Sequence, residues 1–172
     1  MTETIPTPSS AITECASLKP LLRTFFLAAA VLLTLLVAVR AYTGWRAGTS
    51  LTPTSGTWTA LAVDVEHGVF YRPLYGDLGY GGTRYFPLHF VLHAGLMEIG
   101  LGPEAAGHTL EAVACLALLF GVYTIFRRLG ISRAIATCMS LLILAPKVTQ
   151  IALLSIRGDI LPTALNVLGL AT

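Results

Sequence analysis

The stretch from Leu21 to Tyr42, LLRTFFLAAAVLLTLLVAVRAY, decides the fold class. Its centre, Thr24 to Val39, carries no charge, and Arg23 and Arg40 close it at either end. A hydrocarbon core takes about 20 residues of helix to cross, so the run with its flanks is long enough. The two arginines have aliphatic stems that carry their charge to the membrane boundary. The polar leader before it has no basic region beside Met1, and no small-residue cleavage site follows the apolar run. The run therefore reads as a retained anchor behind a disordered cytoplasmic leader over residues 1–20, not as a cleaved signal peptide.

Composition extends this reading to the whole chain. Hydrophobic residues make up 55% and charged residues 12%, against about 25% charged in a soluble domain. Mean hydropathy is +0.74. A net charge of +2 with no basic run gives no footing for a nucleic-acid partner; membrane lipids are the expected surroundings. Cys15 lies in the leader, while Cys115 and Cys138 lie inside apolar runs. They have no metal-ligand spacing and read as small buried residues.

Residues 43–84 hold many Gly, Pro, Thr and Tyr residues with three of the acidic ones, Asp64, Glu66 and Asp77, and irregular chain of this kind cannot lie in lipid. They start an external loop expected over 43–104. Within it Trp58 to His67 reads as a short helix, with Thr57 as N-cap and Gly68 as stop. Tyr85 to Leu101 (YFPLHFVLHAGLMEIGL) is apolar, but His89 and His93 stand four apart on one helical face, with Glu98 nearby. A polar stripe on a short apolar helix predicts an interfacial helix over 85–101. Further spans are expected at about 105–126 and 135–154, the latter with Pro146, Lys147 and Gln150 in its second half. A last apolar segment, 160–172, would be about 20 Å of helix, too short to cross. The expected fold is thus all-α: a polytopic transmembrane helical bundle with a long external first loop and juxtamembrane helices, incomplete at residue 172. With 85–101 lying on the surface, the compact cluster Arg127, Arg128 and Arg133 falls on the same side as Lys19 and Arg23. The positive-inside rule then puts the N-terminus in the cytoplasm of a multi-pass cell-membrane protein.

Several constellations can carry chemistry. Asp64-Val65-Glu66-His67 offers a base or a metal ligand beside the membrane; the alternative is a solvated loop face. In YGDLGYGGTRYFP (75–87), Gly81 and Gly82 precede Arg84, so exposed N–H groups beside a guanidinium can hold a phosphate. Aromatic turns at headgroup level are the alternative there. Arg157-Gly158-Asp159 places an acid at a membrane boundary, where it is either functional or a cap for the helix that follows. His89 and His93 have i, i+4 ligand spacing without a located third ligand. Glu111 and Lys147 are candidates to pair across spans.

The segments LAVDVEHGVFYRP, YGGTRYFPLHFVLHAGLMEIGL and SIRGDILPTALNVLGL, in this order around a first span, resemble the N-terminal part of the GT-C superfamily of membrane glycosyltransferases. The nearest branch is the protein-mannosyltransferase-like group with its RgtA/B/C/D-like bacterial members. The resemblance implies an essential acid in the first external loop, matched by Asp64, and a second acid opening the next external loop, matched by Asp159. It also implies a juxtamembrane helix where 85–101 lies. The family's acidic pair is often adjacent, whereas Val65 separates Asp64 from Glu66 here.

The implied function is transfer of a sugar from a polyprenyl-phosphate-linked donor to an acceptor of unknown identity on the external face. Asp64 would deprotonate or orient the acceptor, with Asp159 as its catalytic companion. Glu66, Gly81, Gly82, Arg84, Tyr85 and Arg157 would line the substrate site. No cofactor is assigned, and a divalent cation stays open. On this reading the carboxylates of Asp64 and Asp159 share one externally facing cavity. A non-enzymatic polytopic protein, such as a transporter part or assembly subunit, would keep them apart.

Overall fold

The computed structural model describes residues 8–49, 51–73, 75–76, 79–80 and 87–172, the backbone alone over 8–19, 76 and 79–80. It is helical apart from a two-residue antiparallel ladder that pairs Tyr75 with Tyr80 and Gly76 with Gly79. The helices are α1 (Pro8–Arg46), α2 (Pro53–Glu66), α3 (Leu88–Glu98), α4 (Pro103–Arg128), α5 (Arg133–Leu141), α6 (Lys147–Leu154) and α7 (Ile160–Ala171).

Among the described residues, two helices are long and apolar enough to cross a membrane: α1 over Pro20–Arg46, and α4. In α1, only 11% of the apolar window is buried inside the protein. Phe25, Leu32, Leu36 and Val39 are each more than half exposed. Keeping four such side chains in water would forgo on the order of 5–10 kcal/mol of burial, comparable with the whole stability of a domain, about 5–15 kcal/mol. That face belongs against hydrocarbon. The helix starts at Pro8, so the leader expected to be disordered over 1–20 is helical from Pro8 onward. Once a long apolar helix is nucleated, adding residues at its end costs little, and Pro8 fits a first turn because its missing N–H would be unpaired there anyway.

The span expected at 135–154 is broken. Arg133–Leu144 and Lys147–Leu154 meet at 72°. Pro146 sits at the corner with an extended backbone, ψ 135°, and has no N–H to continue the ladder. The carbonyls released at the corner find a side chain: Gln150 Nε2 donates to Leu144 O (3.0 Å) and Ala145 O (3.3 Å). Arg40 of α1 donates to the other end of the same amide (3.2 Å), tying the break to the first helix.

On the loop side α2 starts earlier than the sequence suggested. Its cap is Thr52, not Thr57: Thr52 and Ser55 form a reciprocal capping box, with Pro53 at the first helical position between them. Gly68, at φ +78°, ends it as expected. Helix α3 runs only from Leu88 to Glu98, about 16 Å at 1.5 Å per residue and roughly half a hydrocarbon core. Its histidine stripe does not face headgroups; His89 and His93 are buried against α4. The helix is apolar nearly all round, so polar contacts inside the protein set its rotation.

Trp58, Ala62, Phe90, Met97, Ala106 and Ile156 form a core beneath α2 and α3. A second core joins α1, α4, α6 and α7 around Val37, Leu118, Leu153 and Ile160. Helices α4 and α7 approach closely at Gly121, where an added Cβ would lie 2.9 Å from Val167 Cγ1. Cys115 and Cys138 are buried free thiols, as expected.

Candidate functional site

Asp64 lies in the last turn of α2. The turn at Gly68 brings the chain back past it, with Val69 N–H on Asp64 O at 2.8 Å. Arg72 therefore meets the Asp64 carboxylate side-on. Its Nε donates to Oδ2 and its Nη2 to Oδ1, both at 2.6 Å. This is the two-pronged geometry that guanidinium and carboxylate favour. The hydrogen bond and charge of Asp64 raise Arg72 above the ordinary arginine value. The carboxylate is mostly buried, with 16% of its side chain exposed. It lines a cavity of about 460 Å³ with Thr52, Thr59, Val63, Arg72 and Glu104. A carboxylate that receives two N–H donors still has lone pairs for a hydroxyl.

A second polar centre lies deeper. Glu111, in α4, is fully buried. Its Oε1 accepts from the backbone N–H of Gly158 (2.7 Å) and of Arg157 (3.0 Å), and from His89 Nε2 (3.2 Å). One carboxylate thus fastens the turn between α6 and α7 to the middle of the molecule. Gly158 is at φ +68°, and a Cβ there would lie 2.8 Å from two atoms of the Trp58 ring and 3.1 Å from His89 Cγ. Trp58 meets the His89 ring edge-on, with centroids 5.0 Å apart. Next along α3, His93 Nε2 donates to Pro103 O at 2.7 Å. Burial holds His93 below the ordinary imidazole value, although the Pro103 carbonyl pulls the other way.

Asp159 follows this turn with its side chain directed outward. It accepts from Arg157 Nε at 2.9 Å and is 58% exposed. It stands at the N-cap position of α7 but its side chain makes no capping hydrogen bond; its backbone carbonyl accepts from Thr163 Oγ1 (2.9 Å). Asp159 lines a cavity of about 370 Å³ with Trp58, His89, Leu161, Pro162 and Leu165.

The two predicted catalytic acids do not meet. Helix α2 separates them, presenting Thr59, Val63 and Asp64 to one cavity and Trp58 to the other. About 100° of helical rotation per residue places these two sets on opposite faces. Glu66 is exposed and lies outside the Asp64 cavity. Arg157 is half-buried and acts twice, through its N–H on Glu111 and its guanidinium on Asp159. Gly81, Gly82, Arg84 and Tyr85 lie outside the described residues. The sequence reading missed Arg72, although it lies eight residues beyond Asp64 across a glycine turn. It marked Glu111 but expected Lys147 opposite it; the observed partners are two backbone amides and His89.

No known protein family, curated protein or solved structure matches the chain. What fold and site define is a class: a helical protein with two helices able to span a membrane, bearing a loop-side unit with an arginine-clamped acid.

Proposed function

We propose that the protein is a membrane glycosyltransferase of the GT-C kind, drawing its sugar from a polyprenyl-phosphate donor on the external face. The observation that carries this reading is the Asp64–Arg72 pair: a mostly buried carboxylate in a cavity that also takes in Glu104 at the start of α4. The orientation fits. Helix α3 is too short to cross, so the C-terminal end of α4, with Arg127 and Arg128, lies on the side of Lys19 and Arg23. The N-terminus is then cytoplasmic, the chain multi-pass, and α2 and α3 external.

In the transfer step the acceptor hydroxyl hydrogen-bonds to Asp64, and its oxygen attacks the anomeric carbon. The bond from that carbon to the phosphate oxygen breaks, and the phosphate departs with the electron pair. Asp64 receives the hydroxyl proton. Arg72 fixes the carboxylate plane, and Arg84 with the Gly81–Gly82 backbone is assigned the donor phosphate on sequence pattern alone. Asp159, on the far side of α2, takes no part at this centre.

That separation is also what favours the second reading, a non-enzymatic polytopic protein in which both acids are structural ion pairs. Membranes containing the protein, supplied with polyprenyl-phosphate sugars and followed for release of polyprenyl phosphate, distinguish the two. Asp64→Asn should insert normally and lower release at least about 100-fold, within the range for loss of acid–base assistance, while Asp159→Asn keeps most of it. Undiminished release by Asp64→Asn removes Asp64 from the chemistry, and no release from any lipid-linked sugar favours the non-enzymatic reading.

A further inference from the structure

A second cavity lies beside the Asp64 pair rather than at it. It measures about 670 Å³ and is lined by Tyr42, Trp45 and Arg46 of α1, Thr59 of α2, and Glu104 and His108 of α4. Its depth is fixed by the two candidate spans, since Arg46 ends one and Pro103 starts the other. Both walls thus come from span ends, which puts the cavity at the level of lipid headgroups. Trp45 stacks on His108 there, with centroids 4.9 Å apart, and Tyr42 is largely exposed beside it; Trp and Tyr favour this boundary.

The charges are arranged for a particular kind of guest. The neighbouring arginines are occupied: Arg40 holds Gln150, Arg72 holds Asp64 and Arg157 holds Asp159. Arg46 is exposed, and its side chain has no hydrogen bond or ion pair among the described residues. Glu104, also exposed, is equally unpaired there. The α4 N-terminus at Gly102 has no side-chain cap, so its N–H groups face the same space. A small free anion would gain from Arg46 and lose to Glu104. A headgroup that carries a phosphate and also hydroxyls satisfies both, placing the phosphate on the guanidinium and a hydroxyl on the carboxylate or on Thr59. A cavity of this size suits one such headgroup, and the apolar outer face of α1 runs away from it toward the bilayer.

We infer that this cavity binds the phosphorylated, hydroxyl-bearing headgroup of a membrane lipid. It shares Thr59 and Glu104 with the Asp64 cavity, so a bound headgroup abuts the Asp64–Arg72 pair. Its identity as the sugar donor's headgroup rests on the glycosyltransferase reading, and would put the donor phosphate on Arg46 as well as on the Arg84 group assigned from the sequence; the lipid site itself does not rest on that reading.

The test is lipid retention by the intact protein in nanodiscs, read by native mass spectrometry. The probes are a polyprenyl phosphate, the matching polyprenol without phosphate, phosphatidylglycerol, and inorganic phosphate as competitor. Retention of the phosphate-bearing lipids should exceed that of polyprenol at least tenfold. Arg46→Gln should lose about tenfold, the order expected for one charge-assisted contact, Arg46→Lys should recover part of it, and Arg128→Gln at the other end of α4 should change nothing. Glu104→Gln should weaken phosphatidylglycerol, which bears hydroxyls, more than polyprenyl phosphate, which has none beyond its phosphate. Wild-type retention by Arg46→Gln, equal retention of polyprenol, or displacement by millimolar inorganic phosphate would each overturn the inference. The two proposals fail separately: lipid retention by a protein that releases no polyprenyl phosphate from any lipid-linked sugar leaves the lipid site standing and removes the glycosyltransferase role, whereas release that persists in Arg46→Gln with retention also unchanged removes the lipid site alone.

Discussion

Replacing Gly158 by alanine probes the turn on which the two halves of the structure meet. The residue sits at φ +68°, where an L-residue costs about 1–2 kcal/mol relative to glycine. The added Cβ would also press within 2.8 Å of the Trp58 ring. That ring is wedged against His89 and Phe90, so relief requires moving several core groups, and overpacking of this kind costs about 1–3 kcal/mol. The sum is about 2–5 kcal/mol. Gly130→Ala is the internal control: its φ is +78° with nothing within 4 Å of the new Cβ, so it should lose only the backbone contribution. For a chain of this size 1 kcal/mol moves the midpoint by about 2–4 °C. Gly158→Ala should therefore melt roughly 2–12 °C below Gly130→Ala in the same detergent. The chain's two tryptophans are Trp45 and Trp58, so in a Trp45→Phe background fluorescence reports on Trp58 alone, and its emission should shift in the Gly158 variant. Coincident melts with unchanged emission would show that the turn is not packed on Trp58.

Two further outcomes follow from the buried centre. Glu111→Ala strands the N–H groups of Arg157 and Gly158 without an acceptor, at about 1–3 kcal/mol each, whereas Glu111→Gln keeps an amide oxygen for them. Amide hydrogen exchange at Gly158 should be fast in the first and slow in the second, and equal rates would deny Glu111 its hold on the turn. His93 is held below its ordinary value of 6.5 by burial, so as pH falls the unfolded chain takes up its proton before the folded one. Stability should be flat above about pH 6.5 and decline below it until the lowered folded value is reached. His93→Gln should flatten that decline; an undiminished slope would show that His93 is not its source.

How far the sequence carried the fold depended on the kind of signal. The uninterrupted apolar runs of α1 and α4 announce themselves, because nothing but burial or lipid stabilises such surface. Helix α3 was legible as short, yet its rotation was not. Phe90, Leu92, Ala94 and Met97 leave no polar face to contrast with an apolar one, so His89 and His93 read as surface when they are interior. Pro146 marked a disturbance, but the 72° corner depends on Gln150 capping the carbonyls it releases, and side-chain-to-carbonyl pairing leaves no spacing rule to find. Asp64 stands out in the sequence only as one of two acids on a short helix, and the structure finds its carboxylate mostly buried. Its separation from Asp159 depends on how α2 is turned, which is set by Trp58 packing on Gly158 a hundred residues away.

Glu111 shows why an acid inside an apolar helix need not be a proton carrier. Intramembrane carboxylates are functional by default because their burial costs so much. Here two backbone N–H groups and a histidine offset that cost, and the return is a fixed junction between α4 and α7. Backbone donors belong to any residue but proline, so the arrangement constrains Arg157 and Gly158 differently. Position 157 needs only its N–H to reach Glu111; its guanidinium serves Asp159 and is dispensable for the turn. Position 158 needs both an N–H and the lack of a Cβ. Within Arg157-Gly158-Asp159, it is thus the glycine that the fold requires, while the flanking charged side chains pair with each other outside the turn.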